Sequence, residues 1–355
     1  MTTVHVVVPD GIDDPARPSG GNVYDRHVCH ELAALGWSVH EHAAAGFWGP
    51  PDAASYAALD EALQRIPDGA VVLLDGLVAS AAAEALERHA RRLRLVVLVH
   101  MPLGHRAAQG EVEAVRERER AALAAATAVI TTSAWTRRRL RELYRMPAER
   151  IHVAEPAVDP AGLAAGTADG GALLCVAAVT HDKGHDVLLD ALGTIADLSW
   201  DCVCVGRLDR DPAFVEGVRH GARDRGLGDR MHFPGPRTGA ALDHSYTAAD
   251  VLVLPSRAET YGMVVIEALA RGLPVIAAEV GGVSEALGHG AGGVRPGLLV
   301  GPEDPAALGE ALRAWLGDRA LRDRLRQAAR ERRQSLPGWP ATASVIAAVL
   351  EEAGR

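Results

Sequence analysis

The chain of 355 residues has three phenylalanines, five tyrosines and four cysteines, Cys29, Cys175, Cys202 and Cys204. Three of these cysteines lie in runs that read as buried strands and none makes a CxxC pair, so they read as small core residues rather than metal ligands. Positive charge is also lacking. The formal net charge is −9, and no basic stripe of the kind that nucleic-acid phosphates demand is present. The clusters Arg88 to Arg94 and Arg137 to Arg141 have acidic residues in flanking helices and read as solvated helix faces. Met1 to Pro9 has no positive n-region, and its apolar run is too short for a signal sequence or a membrane span, so a cytoplasmic protein is expected. The segment Asp52 to Arg65 is acidic and unlike a basic membrane-surface helix, which argues against a lipid acceptor. The dinucleotide pattern GxGxxG is missing, which disfavours a nicotinamide cofactor. No acids or histidines have cation-site spacing. The triplet Asp209-Arg210-Asp211 falls among polar loop residues after the strand Trp200 to Val205 and reads as solvated, so no metal is expected.

Hydrophobic residues are plentiful, at 48%. With a domain for every ~150 residues, the length suits two domains. The amino half alternates apolar runs with amphipathic helices: strands at Val4 to Val8, Val39 to His42, Val71 to Leu74, Leu95 to Val99 and Ala128 to Thr131, separated by helical periods that include Val23 to Leu35, Ala79 to Arg91 and Glu111 to Ala125. Alternation of this kind implies a parallel sheet with helices on both faces. Proline, glycine, aspartate and alanine replace the pattern from Glu155 to Gly171, which reads as a linker. The rhythm then restarts with Ala172 to Val179 and continues to Leu298 to Val300. The expectation is an α/β protein of two doubly wound Rossmann-like domains, residues 1–160 and 171–336, with a cleft between them. Beyond Pro337-Gly338-Trp339-Pro340 a final helix, 340–355, is expected to cross back to the first domain.

The segment Pro255 to Ile276 is the most informative. The run Val251 to Leu254 reads as a buried strand, Gly262 permits a sharp entry into a helix, and Gly272 ends it. Glu259 therefore falls at the carboxyl end of a strand, where open α/β sheets bind ligands beside the free N–H groups of the next helix. That helix start suits phosphate. A carboxylate in the loop repels phosphate and is better suited to accept hydrogen bonds from hydroxyls, as is Glu267 in the second helical turn. Hydroxyls on either side of a phosphate describe a nucleotide sugar.

Other candidates occupy similar edges. Lys183, in Thr180-His181-Asp182-Lys183-Gly184, follows a strand and precedes a helix, where an ammonium can neutralise a departing diphosphate. Gly20 and Gly21 lie in a loop after the first strand, just before a helix; they allow close approach of a phosphate or sugar, or form a plain turn. His100, after Leu95 to Val99, can bond a substrate hydroxyl, carry a proton, or serve as a core or capping residue. Asp75 can bind an acceptor hydroxyl or cap the next turn.

The spacing Glu259 to Glu267, with Ala249-Asp250, Pro255-Ser256, Gly272-Leu273-Pro274-Val275 and Gly281-Gly282 around it, resembles the family-4-like group of retaining glycosyltransferases with two Rossmann-like domains. The resemblance extends over nearly the whole chain through Lys183-Gly184, His100 and Gly20-Gly21. It implies a nucleoside-diphosphate sugar as co-substrate, a small-molecule hydroxyl acceptor held by the first domain, and no cofactor or metal. By the same resemblance Glu267 would hold the ribose, Glu259 the transferred sugar, and the backbone of Tyr261, Gly262, Met263 and Val264 the diphosphate and sugar. Lys183 would stabilise the leaving phosphate, Gly20 and Gly21 would close over the phosphates, His100 would lie near the anomeric centre, and Gly206 and Arg237 would border the nucleobase. One departure stands out: the family's arginine five residues before the lysine is Ala178 here. Arg207 or a first-domain arginine is the expected substitute. An epimerase of the same fold and a non-catalytic nucleotide-sugar-binding subunit are the competing readings.

Overall fold

Runs of valine, leucine, isoleucine and alanine become strands buried on both faces, as a parallel sheet covered by helices requires. In the computed structural model, which describes residues 2–47, 52–106 and 111–355, the first six strands are β1 (Thr3–Pro9), β2 (Ser38–Ala44), β3 (Val71–Asp75), β4 (Arg94–Val99), β5 (Ala128–Thr131) and β6 (Ile151–Val153). They pair in parallel in the order β2-β1-β3-β4-β5-β6. The other six are β7 (Ala172–Val176), β8 (Asp201–Val205), β9 (Met231–Gly235), β10 (Val251–Leu254), β11 (Val275–Ala278) and β12 (Gly297–Val300). Their order is β12-β11-β10-β7-β8-β9, again parallel. Each sheet reverses its direction of growth once, the first between β1 and β3 and the second between β7 and β10. At such a reversal neighbouring crossovers diverge to opposite faces and leave a crevice at the carboxyl ends of the strands.

The chain divides into two units, Met1–Pro156 with Gly338–Arg355, and Ala157–Pro337. The first is filled by Val72, Leu74, Val97 and Val129 from its strands, packed against Leu59, Leu63, Leu86 and Leu123 from its helices. In the second, one sheet face packs Leu188, Leu192 and Trp315, and the other packs Val265, Ile266 and Leu269. Truncating any of these leucines to alanine leaves a cavity worth about 2–5 kcal/mol. All four cysteines are buried free thiols.

Several boundaries differ from those read in the sequence. Gly20 and Gly21 are not in a loop: Ser19 caps the helix Gly20–Ala34 by accepting from Asn22 N at 3.1 Å, which draws both glycines into the first turn. The period Ala79 to Arg91 is two helices, Gly76–Ala81 and Ala83–His89, because Ala82 leaves helical geometry at φ −117°, ψ 42°. The strand read to Val179 ends at Val176, and the next residues continue along β8 and its exit through bonds from Ala177 N to Val205 O and Val179 N to Arg207 O. The supposed linker is anchored from Ala164 onward. Buried Asp250 accepts from Thr167 N at 2.7 Å, from Ala172 N at 2.9 Å and from Arg326 at 2.8 Å. One carboxylate on the neighbouring strand's approach thus organises the second half of the segment read as a linker.

The last helix, Trp339–Ala353, belongs to the first unit. Trp339 stacks on His27 with ring centroids 4.2 Å apart and meets Tyr24 edge-on at 5.5 Å, while Thr342 Oγ1 donates to Glu155 O at 2.7 Å.

Candidate active site

In the second unit the polar residues gather where the sheet order reverses. Lys183 leaves β7 through a single 3-10 turn, His181–Lys183, and Glu259 lies in the loop after the adjacent strand β10. Their side chains meet across the reversal: Lys183 Nζ donates to Glu259 Oε1 at 2.5 Å, and Ser256 Oγ donates to the same oxygen at 2.9 Å. Lys183 is the only lysine in the chain. Every other basic position outside the histidines is arginine, so a compact ammonium is used at this one place, where a point charge rather than a planar fork faces the loop. Gly184 makes the approach possible. It has φ +67°, and a β-carbon there would lie 2.2 Å from Pro255 O.

Gly262, at φ 93°, is the N-cap that turns the chain into the helix Met263–Ala270, so Met263 and Val264 open its first turn and Tyr261 precedes the cap. The N-terminal turn of a helix carries positive partial charge and favours an anion. Glu267 follows in the second turn. Its Oε2 accepts from Tyr246 OH at 2.6 Å, and burial raises its pKa although the tyrosine bond acts in the opposite direction. Tyr246 itself is fully buried, and burial beside Glu267 raises its own pKa.

The two residues named for the nucleobase lie at and beyond β8. Gly206 directly follows β8, close against Ala177. Arg237 instead donates to Ser245 Oγ at 2.8 Å and lines a cavity of about 340 Å³ with Leu174, Val203 and Ala249, against the sheet face. As for the missing arginine, the Arg207 backbone does lie beside Ala177 to Val179, but its guanidinium binds Asp209 through two 2.9 Å bonds. Arg257, which the sequence reading passed over, is closer to the lysine turn. It donates to His181 O at 2.7 Å and grips both oxygens of Asp186 at 2.8 Å, with Glu303 on its Nε at 2.9 Å. Its role in the structure is to brace the loop that carries Lys183.

The first unit has a matching cluster at its own reversal. His100 follows β4, Asp75 ends β3, and Asp25 projects from the helix that follows β1. His100 Nε2 lies 2.8 Å from Asp25 Oδ1 and 3.4 Å from Asp75 Oδ2. Asp75 is also a cap: its Oδ1 accepts from Leu77 N at 2.6 Å, the second of the two roles read from the sequence. Gly21 backs onto the imidazole, since a β-carbon there would come within 3.3 Å of His100 Cδ2. Burial works against protonation of His100, but the Asp25 charge and hydrogen bond, with Asp75 behind them, raise its pKa to about 9. Burial, then the Asp25 charge, raises that of Asp75 to about 7. One carboxylate oxygen of each aspartate and a ring nitrogen of His100 lie within 4.8 Å of one another. A 2.8 Å imidazole–carboxylate contact is the length of a charge-assisted hydrogen bond.

Ser256, Tyr246, Arg257 and Asp25 are the site residues that sequence reading missed. Asp25 had a local signal, being four residues after Gly21 and so on the same helix face, and Ser256 and Arg257 lay in the segment already singled out around Glu259.

Residues 168–332 match the family model Glycosyl transferases group 1, and residues 51–161 match Glycosyltransferase Family 4. A D-inositol 3-phosphate glycosyltransferase of Jonesia denitrificans is 34% identical over 232 residues, 60% of this chain and 54% of the relative. D-inositol 3-phosphate glycosyltransferase 1 of Catenulispora acidiphila is 32% identical over 256 residues, 66% and 59% of the two chains. The chain thus spans little more than half the length of these curated relatives. Among solved structures, sucrose-phosphate synthase from Thermosynechococcus elongatus superimposes with a TM-score of 0.82 at 24% identity, covering 99% of both chains. Anabaena HepE in complex with UDP-glucose gives 0.77 at 18% identity, covering 99% of this chain and all of that one at 100%. Identity at that level speaks to the fold alone.

Proposed function

We propose that this chain, which belongs to the two-domain Rossmann-like glycosyltransferases of the GT-B fold, moves a sugar from a nucleoside diphosphate to a hydroxyl of a small acceptor with retention of configuration. The observation that carries the reading is the Lys183–Glu259 pair across the reversal of the second sheet, beside the first turn of Met263–Ala270. Anionic phosphate fits the ammonium and the helix start, which together offset the charge that develops on a leaving diphosphate. Glu259 and Glu267 are left to accept from sugar and ribose hydroxyls. Neither carboxylate is assigned as a covalent nucleophile, so departure of the diphosphate and attack by the acceptor occur on one face, and the leaving oxygen takes the acceptor's proton. Lys183 and the helix supply positive potential without a metal ion.

Asp75 and His100 in the first unit serve the acceptor in this reading. The relatives' names point to a phosphorylated polyol as the first acceptor to try, and the HepE complex points to a uridine diphosphate sugar as the first donor. One observation favours a non-catalytic, nucleotide-sugar-binding role: Ala178 stands where a cation is expected, and Arg207 and Arg257 are engaged with carboxylates. A thermal-shift screen of nucleoside diphosphates, followed by turnover of UDP-sugars with inositol 3-phosphate and inositol, decides between the two. Transfer that persists in excess chelator is the expected result. Binding of a nucleoside diphosphate without any transfer supports the binding role, and conversion of the donor sugar without an acceptor supports an epimerase. Collapse in chelator with recovery on adding magnesium refutes metal independence.

A further inference from the structure

We infer that Asp25 is the positioning residue of the first unit's cluster: with Asp75 it fixes the His100 ring and holds it as a protonated hydrogen-bond donor rather than a base. The inference rests on the glycosyltransferase reading for its consequence, though not for its geometry.

The helix Gly20–Ala34 carries three residues that meet the His100 ring. Positions 21 and 25 share one helical face, and both meet the same edge of the imidazole. Gly21 lies against Cδ2, and Asp25 Oδ1 lies 2.8 Å from the adjoining Nε2. Tyr24 closes the ring from the side, edge-on at 5.2 Å, and is itself held by a 2.9 Å bond from its hydroxyl to Ala154 O. A β-carbon at position 21 would make the ring give by a few tenths of an ångström. Asp75, tied down by Leu77 N, presents its other oxygen to Nε2 at 3.4 Å.

Two carboxylates therefore face one nitrogen. A lone pair on Nε2 would point at both, so Nε2 must carry a hydrogen. The groups that face the ring are Asp25 and Tyr24 from the helix after β1, and Asp75 from the end of β3. Asp25 is 4% exposed and its Oδ2 is a buried oxygen without a hydrogen-bond partner, and the neighbouring Asp75 carboxyl is held protonated to higher pH by the Asp25 charge. A buried anion in this position favours the imidazolium over the neutral ring. The upward shifts of His100 and Asp75 agree with that balance. A histidine held this way cannot accept a proton near neutral pH. It can donate to a substrate oxygen and contribute positive charge, and the acceptor's proton must leave by another route, such as the diphosphate oxygen.

The test follows the imidazole directly and then the turnover. In the full chain, nitrogen-detected NMR of His100 should show a titration at least one pH unit above that of an ordinary histidine, with the proton on Nε2. Asp25→Asn, nearly equal in shape, should lower that titration by one unit or more. It should also reduce kcat by about tenfold or more through lost orientation, with donor KM changed less than about threefold. Asp75→Asn should shift the titration by a smaller amount. A wild-type His100 that titrates at or below the ordinary value overturns the inference, as does a titration or kcat unmoved by Asp25→Asn. Should Asp25→Asn fail to fold, the wild-type spectrum alone still decides the protonation state. If the spectra behave as stated but no sugar nucleotide is turned over by the wild-type chain, the positioning role stands and the transferase reading fails.

Discussion

Lys183 carries more of the functional argument than its one charge suggests. In a chain that otherwise uses arginine for its permanent cations, it sits within contact of Glu259 and at the entrance of a helix, where a compact ammonium can shift from carboxylate to phosphate. Arginine is not equivalent there: its planar fork would pair with Glu259 through two bonds and hold the carboxylate away from a sugar hydroxyl. Lys183→Arg should therefore fail to rescue Lys183→Ala. Both variants are expected to lose roughly 10²–10³ in kcat, the range measured for removal of one electrostatic donor. Steady-state kinetics checks this, and an arginine variant within about threefold of wild type would show that only net charge matters.

The strand-to-helix turns are where elements become chemistry. The Lys183 turn is built from a 3-10 turn, a glycine in left-handed conformation, and the brace from Arg257 to Asp186 and His181. Gly184→Ala should be costly twice over. Left-handed backbone with a β-carbon costs about 1–2 kcal/mol, and the new methyl would lie 2.2 Å from Pro255 O, so the loops must part. The expected outcome is a lowered Tm together with a raised KM for the donor, measured by calorimetry and initial rates. A variant that loses stability but keeps the donor KM would separate the turn's fold from its ligand. The strand runs, the glycine-led helix after β10 and the positions of Lys183 and Glu259 at strand ends were legible in the sequence, because each depends on local periodicity or on one turn residue. Tyr246, 21 residues from its partner Glu267, was not, since a hydrogen bond between two helices leaves no mark on either one.

At the scale of the whole molecule, each of the two sheets places its charged cluster at its own order reversal, one basic and acidic, the other an imidazole between two acids. The second arrangement ties stability to pH. His100 has a folded-state pKa of about 9 against an ordinary value of 6.5, so its contribution is fully present below pH 6.5 and is lost as pH rises through 9. At most about 3 kcal/mol is involved, from the size of that shift. Denaturant unfolding at pH 6.5 and 9.5 should show lower stability at the higher pH, and His100→Gln should flatten the difference. A wild-type stability that rises over this interval contradicts the cluster.

The sequence by itself determined the α/β alternation, the strand ends that carry Glu259, Lys183, His100 and Asp75, and the glycine turns beside them, because side-chain periodicity and backbone freedom act over a few residues. Only tertiary structure decided which strand ends are neighbours. The sheet order brings β7 against β10, which joins Lys183 to Glu259 across 76 residues of chain. The same kind of reversal in the first sheet sets Asp25 against His100, 75 residues away. Charges separated so far interact only after the strands between them are ordered, so the protonation of His100 and the pairing of Lys183 are properties of the fold.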